Sequence, residues 1–461
     1  MGVLGGGVGS GPRGDKTLQL PVAETLRLAW ADDDLRGRIL FVLAMFAVFC
    51  FGAHVPVPVP GVTADQLVKA LDSNVFFQMM NALGGGALRR VSIFALGLNP
   101  YITSSIILQI LTTAIPSWKQ ELKEGGEYAR KQQNKRTRML SILLCIFQGW
   151  GLLQIIIGAN AQNLAIRNAF TPSVIAMVLV FWTAGAMFML WLGEQLSERG
   201  IGNGVSMMIF AGIVFSLPGQ IDLIRHEIGY TVSWFGVAFV IVAFIATTWG
   251  VVYFTTAQRR IPVQHMRRMV GTRAQGGSTS YLPLSVNTAG VIPIIFALTL
   301  LYMPAQFSSF FPATSPIHTF LSNVSDYLSP TFQTSSAYWY KPVIGCLAYA
   351  ALIFFFTYFY TAIQLNVEDI ADNLKRAGSF IPGVRPGKQT KDFLDGVISR
   401  ITIVGAAFLS AVALVQFVVP GVTHMAKINV IGGTTLLIMV SVALETMRQI
   451  EANLLMKQYG S

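Results

Sequence analysis

Apolar runs recur along the chain at a length that suits a lipid bilayer. A hydrocarbon layer of about 30 Å calls for roughly 20 apolar residues in a helix, and a window of about 19 residues picks out ten runs: 37–54, 91–111, 137–159, 172–194, 202–218, 233–256, 286–307, 341–364, 397–419 and 430–448. The pattern predicts an all-α polytopic membrane protein with ten transmembrane helices. Two runs are interrupted. VSIFALGLNPYITSSIILQIL (91–111) contains Asn99, Pro100 and the run Thr103, Ser104, Ser105, which a purely lipid-facing helix does not need, and 286–307 contains Asn287 and Pro293. Before the first lies NVFFQMMNALGGGALRR (74–90), apolar, too short to span, and ended by glycines, Arg89 and Arg90. A short apolar segment beside a polar-marked wall reads as a stopper in a pore.

The basic residues set the topology, because cytoplasmic loops are enriched in Lys and Arg. With the N-terminus inside, 26 of the 33 Lys and Arg fall on the cytoplasmic side and 7 on the other. Both termini are therefore expected in the cytoplasm. The spans divide into five and five: a cytoplasmic extension and surface helix (1–36), a first half (37–218), an external hinge loop (219–232), a second half (233–448) and a cytoplasmic tail (449–461). An odd number per half makes related halves run in opposite directions, the inverted-repeat plan. The correspondence is one of placement, a proline-interrupted second span in each half, since no convincing identity links them. Residues 1–14 are glycine-rich and excluded from the fold, while 17–31 predicts a short amphipathic surface helix after Pro21. No cleavable signal peptide is evident before the first run.

Composition narrows the chemistry. Charged residues make up 12% and apolar ones 53%, against about 25% charged in a soluble domain. The three cysteines sit inside apolar runs and the five histidines lack metal-ligand spacing. Neither a metal site nor a cofactor is expected. A charge near the bilayer centre costs at least about 2.5–3.5 kcal/mol, so ion-coupled transporters keep one only for use. The runs carry acids only near their ends, at Glu194 and Glu445. That counts against a proton relay, and against a secondary transporter, which would share inverted halves but needs a compact polar midplane site. GIGNG (200–204) lacks the preceding strand and the following Lys-Ser/Thr of a phosphate loop and reads as a tight turn. No nucleophile, base and orienter triplet supports an intramembrane hydrolase, so no enzyme is expected.

Leu98 and Ile102, Val205 and Ile209, and Val291 and Ile295 are i, i+4 pairs, each on one helix face. Were those faces to meet, they would form a narrow apolar collar that blocks ions by dewetting; spacing alone favours the plainer reading, lipid contact or helix packing. Three cytoplasmic loops, 117–136, 257–285 and 365–396, exceed what topology demands. The second alternates basic and apolar residues around Gly-Gly and predicts a hairpin. The third predicts a helix, VEDIADNLKRAG, stopped by Gly378, then a stiff turn, FIPGVRPG. Their length and charge suit a docking platform for an acidic or phosphate-bearing partner.

Five stretches, GGALRRVSIFALGLNPYITSSIILQIL, MLWLGEQLSERGIGNGVSMMIFAGIV, LPLSVNTAGVIPIIFA, FYTAIQLNVEDIADNLKRAGSFIPGVRPGKQT and IGGTTLLIMV, follow one another in an order that is similar to the SecY family. These are the channel-forming subunits of the bacterial protein-conducting translocon, and the resemblance runs from about Leu35 to the C-terminus. It implies two inverted five-helix halves around a central pore that passes unfolded secretory proteins and releases hydrophobic segments sideways. It implies a pore ring of Leu98, Ile102, Val205, Ile209, Ile295 and Ile438, and a plug at 74–86 with Phe76, Phe77, Met79 and Met80 facing it. Spans two and seven would bound a lateral gate, with Ile106, Gln109, Gln148, Asn287 and Val291 along it and the three amides as candidates for a polar latch. Arg259, Arg260, Arg267, Arg268 and Arg385 would meet the ribosome, including its RNA, or the SecA motor ATPase. SecE-like and SecG-like small subunits, signal sequences, nascent polypeptides and membrane lipid complete the implied partners, in a bacterial inner membrane. Leu98 and Val205 stand where isoleucine is usual, and the glycine-rich residues 2–14 lie outside the family pattern.

Overall fold

The computed structural model describes residues 22–58, 81, 84–159, 170–227, 234–265, 268–270, 273–275, 279–308, 310–311, 315–330, 340–423 and 432–460. The chain enters through α1 (Val22–Ala31), a helix within the stretch where one was expected, and α2 (Asp33–His54). Asp32 separates them: its Oδ1 accepts the Asp34 and Leu35 N–H groups at 3.0 and 3.1 Å, capping the donors a helix start leaves unpaired. Lys457, from the far end of the chain, donates to both oxygens of the same carboxylate at 2.8 Å, and that hydrogen bond holds Asp32 below the usual carboxylate range.

The first half continues with α3 (Asn99–Ala114), α4 (Pro116–Glu124), α5 (Gly126–Ala159), α6 (Pro172–Arg199) and α7 (Gly204–Glu227). Two expectations are corrected here. The stretch 117–136 is not a loop: it is rich in strong helix formers, and Arg136 ties α4 to α5 by an ion pair to Glu121 at 3.2 Å while stacking over Trp118 at 4.6 Å. The hinge stretch from 219 is helical as far as Glu227, because α7 runs on through Pro218; residues 228–233 lie outside the description.

The second half begins with α8 (Trp234–Thr256), then β1 (Gln258–His265), β2 (Arg268–Val270), β3 (Arg273–Gln275) and β4 (Thr279–Ser285). The predicted hairpin is present: β1 pairs antiparallel with β4 from Gln258↔Ser285 to Gln264↔Thr279, and β2 pairs with β3. There follow α9 (Ile292–Ser308), α10 (Pro316–Leu328), α11 (Tyr340–Gln364), α12 (Val367–Arg376), β5 (Ser379–Phe380), α13 (Lys388–Thr423) and α14 (Gly433–Gly460). The predicted helix over 367–376 forms and stops before Gly378, whose φ of +65° suits glycine. The tail from 449 is not a separate element, since α14 carries it to Gly460.

Among the described residues, α2, α6, α8, α11 and α13 have the length and hydropathy to cross a membrane, and α7 and α9 contain shorter apolar helices. Their outward faces are apolar: Phe51, Val242, Trp249, Leu347 and Phe355 are more than 60% exposed. A soluble protein would not present such a surface, whereas lipid covers it at no cost.

Close helix packing depends on glycine at a few points. A Cβ on Gly185 of α6 would stand 2.1 Å from the Ile93 carbonyl oxygen. The obstacle is backbone, so Gly185→Ala is expected to destabilise the protein by about 1–3 kcal/mol, read as a fall in the melting temperature of the detergent-purified chain.

Candidate functional site

Residues 91–98, expected to open the second transmembrane helix, instead continue a chain of turns that begins at Gly84, and the helix of that span begins only at Asn99. Proline supplies the reason. Pro100 has no N–H to donate and sits in the first turn, where none is needed. Gly97 precedes it at φ +58°, outside the helical region. The turns are held from both sides: Arg89 N–H donates to Asn81 Oδ1 at 3.0 Å, and Val57 N–H and Ile93 N–H pair with Val91 and Val55 carbonyls at 2.8 and 3.0 Å. The seventh span repeats the device, with Gly290 at φ +66°, Pro293 in the first turn and a helix that begins at Ile292 rather than 286.

These two late-starting helices aim residues at a common point. Ile102 N–H bonds the Leu98 carbonyl at 3.0 Å and Ile295 N–H bonds that of Val291 at 3.4 Å, so each i, i+4 pair closes one helical turn. Val205 and Ile209 lie in the first turns of α7, and Ile438 lies in the second turn of α14. All six ring candidates belong to one apolar cluster: Leu98, Ile209 and Ile438 are buried in it, and Ile102, Val205 and Ile295 pack against them. Four helices from both halves therefore contribute. α14 can approach because Gly433 has no side chain: a Cβ there would lie 1.7 Å from the Val412 carbonyl oxygen.

Above the cluster opens a cavity of about 500 Å³, its floor formed by Ile102, Val205, Ile209, Ile295 and Ile438. Leu98 does not reach the cavity and packs within the cluster. The other end of the cavity is polar, with Asn134, Asn203 and Glu198 beside an Arg138–Glu194 ion pair at 2.6 Å. A polar-lined vestibule thus leads onto branched apolar side chains. The arrangement offers no acid, base or nucleophile at its floor; it can exclude ions by drying and yield to a larger object by side-chain rotation. The plug candidates Phe76, Phe77, Met79 and Met80 lie outside the described residues, as do 82 and 83; of the stretch 74–86, Gly84, Gly85 and Gly86 are in turns rather than helix.

The gate candidates are divided. Ile106 is buried in a cluster with Ile294, Phe296 and Ala297 of α9, joining α3 to the second half, and Val291 and Gln109 line the cavity. The three amides do not meet as a latch. Gln109 Oε1 instead accepts the Tyr360 hydroxyl of α11 at 2.5 Å, Gln148 is half-buried on α5, and the Oδ1 of Asn287 is buried without a hydrogen-bond partner. Tyr360 was invisible in the sequence, because a tyrosine in an apolar run looks like any interfacial aromatic.

On the β-hairpin side, Arg259 and Arg260 are exposed on β1 while Ile261 and Val263 are buried. That burial is shared with Val367, Ile381 and Leu394. β5 pairs with the end of β1 at Gln264↔Phe380 and His265↔Ser379, so the two loops form one platform. Arg385 is exposed on its turn, which Thr390 steadies by donating to the Arg385 carbonyl at 2.9 Å. Arg268 opens β2, and Arg267 falls outside the description.

Comparison with known proteins gives a single answer. A SecY family profile matches residues 92–447. The chain is 37% identical over 432 residues to the protein translocase subunit SecY of Staphylococcus epidermidis, covering 92% of this chain and 96% of that one. It is 38% identical over 433 residues to that of Halalkalibacterium halodurans, with the same coverage. Among solved structures it is similar to one described as a protein-conducting channel, with TM-score 0.60, 18% identity and coverage of 90% and 91%. It is also similar to Sec61 of the canine ribosome–channel complex, with TM-score 0.56, 16% identity and the same coverage.

Proposed function

The chain belongs to the SecY family of protein translocase subunits, and we propose that it forms the pore through which unfolded secretory polypeptides cross a bacterial inner membrane, with ten spans and both termini cytoplasmic. The observation that carries this reading is the apolar floor of Ile102, Val205, Ile209, Ile295 and Ile438 beneath a polar vestibule. Branched side chains form a gasket around a passing chain without holding it, because they offer it no hydrogen bonds. Residues 74–86 close the far side of that ring at rest. α3 and α9 bound a lateral gate through which a hydrophobic segment leaves for lipid, and a signal sequence opens it by binding the open state more tightly. SecE-like and SecG-like subunits brace the two halves, and energy comes from a SecA-type ATPase or a translating ribosome docked on the platform carrying Arg259, Arg260, Arg268 and Arg385.

The test is reconstitution. Vesicles holding the chain with SecE-like and SecG-like subunits are expected to protect a secretory precursor from external protease when SecA-type ATPase and ATP are supplied; protection no greater than in vesicles lacking this chain would refute the proposal. Arg385→Glu is expected to cut the rate about tenfold and to flatten its salt dependence, because one attraction fewer is left for salt to screen.

A further inference from the structure

Where α5 meets α9, the two halves touch through aromatic rings. Phe147 of α5 stacks on Phe310 with centroids 4.1 Å apart and planes 18° from parallel, and it meets Phe307 at 5.5 Å and 57°. Phe307 and Phe310 are themselves 6.5 Å apart. The backbone beyond α9 is turned to allow this: Phe310 N–H bonds the Phe307 carbonyl at 3.2 Å, bringing the second ring back beside the first.

Two observations separate this contact from ordinary packing. The buried face of α5 runs through Ser141, Cys145, Leu152, Leu153 and Ile156, and its apolar members pack toward α6 and the turns of 84–98. Phe147 lies off that face, between the exposed Ile146 and the half-buried Gln148. Among the described residues, moreover, no buried apolar cluster contains both an α5 and an α9 residue. The rings thus link α5 and α9 across a seam that no buried apolar cluster spans among the described residues, and apolar side chains flank it on the outward side: Leu143 and Ile146 of α5 are 61% and 49% exposed, and Phe307 is 41% exposed.

We infer that Phe147, Phe307 and Phe310 form an aromatic latch that ties α5, which packs along α3, to α9, and so holds the gate between α3 and α9 shut and sets how hydrophobic a segment must be to open it. The inference rests on the gate reading above. A stacked pair prefers its partner's ring face over an aliphatic neighbour, and an entering apolar helix must supply replacement contacts for all three rings. A weakly apolar segment supplies fewer, so the latch discriminates between segments in proportion to their hydrophobicity. These are positioning residues, since they act on α5 and α9 rather than on the polypeptide in the pore.

The experiment compares two precursors in the reconstituted complex, one with a strongly and one with a weakly apolar signal core. Phe147→Ala is expected to raise the ratio of weak-core to strong-core transport about tenfold. Phe310→Ala, beyond the end of α9, is expected to do the same should the α5 variant fold poorly. Phe147→Trp, which keeps a ring, is expected to restore the parental ratio, and Phe147→Leu, which keeps bulk without a ring face, is not. An unchanged ratio in both alanine variants, or equal recovery by leucine and tryptophan, overturns the latch. A photo-crosslinker at Ile106 or Val291 in the parent protein separates the premises: capture of the signal core with no change of ratio sinks the latch alone, whereas no capture sinks the gate reading with it.

Discussion

Deleting residues 74–83 is expected to turn an electrically silent channel into one that opens frequently in a planar bilayer. The stretch is apolar and too short to span, and a segment of that kind is stable only where protein shields it from water. The ring is made of side chains that rotate, so by itself it seals only while it stays dry. The deletion also removes Asn81, whose carbonyl and side chain accept the Gly86 and Arg89 N–H groups at 2.8 and 3.0 Å. Asn81→Ala is therefore the control, expected to stay silent because the turns keep their pairings to Val55 and Val57. If deleted and intact channels are equally silent, the seal rests on the ring alone; if both leak equally, neither stopper nor collar exists as drawn.

The second large effect concerns the ring. Ile102 and Ile295 are only partly buried and face the cavity, so polar groups there meet water from the vestibule without having to be forced into a closed core. Ile102→Ser with Ile295→Ser is expected to wet the constriction and to give a sustained ion leak that lowers the membrane potential of vesicles, at least tenfold faster than in the parent. Ile102→Val with Ile295→Val, which keeps branched apolar surface, is expected to remain tight. A charge at Ile438 is a poorer probe, because that side chain is 1% exposed and a buried charge costs several kcal/mol, enough to disturb folding before it disturbs conduction.

Much of this was legible in the order of residues, and each failure has its own physical cause. The hairpin over 257–285 and the helix over 367–376 were readable because alternation and an end-stop glycine are local signals. The starts of α3 and α9 were misplaced because a hydropathy window averages over turn and helix alike, although Gly97 with Pro100 and Gly290 with Pro293 marked both breaks. α10 was missed for the opposite reason: Ile317, Phe320, Leu321 and Val324 alternate with polar residues at helical spacing, so no apolar run forms. Five of the six ring residues stood in i, i+4 pairs that spacing alone reads as ordinary packing. Resemblance added Ile438 and assigned the ring, and three-dimensional packing gathered the six from four helices into one cluster. The partners of Gln109 and Phe147 are tertiary facts, set by α11 and the end of α9, and no spacing rule reaches across 251 residues to Tyr360.

The most direct measurement is made on a precursor stalled midway through the reconstituted complex, with a photo-crosslinkable side chain placed in turn at Ile102, Ile209, Ile295 and Ile438. Passage through the ring predicts that all four positions capture the same short stretch of the stalled polypeptide, and that exposed positions on the lipid face, such as Val242 and Leu347, capture none of it. Capture at the lipid face with none at the ring would show that the polypeptide crosses elsewhere.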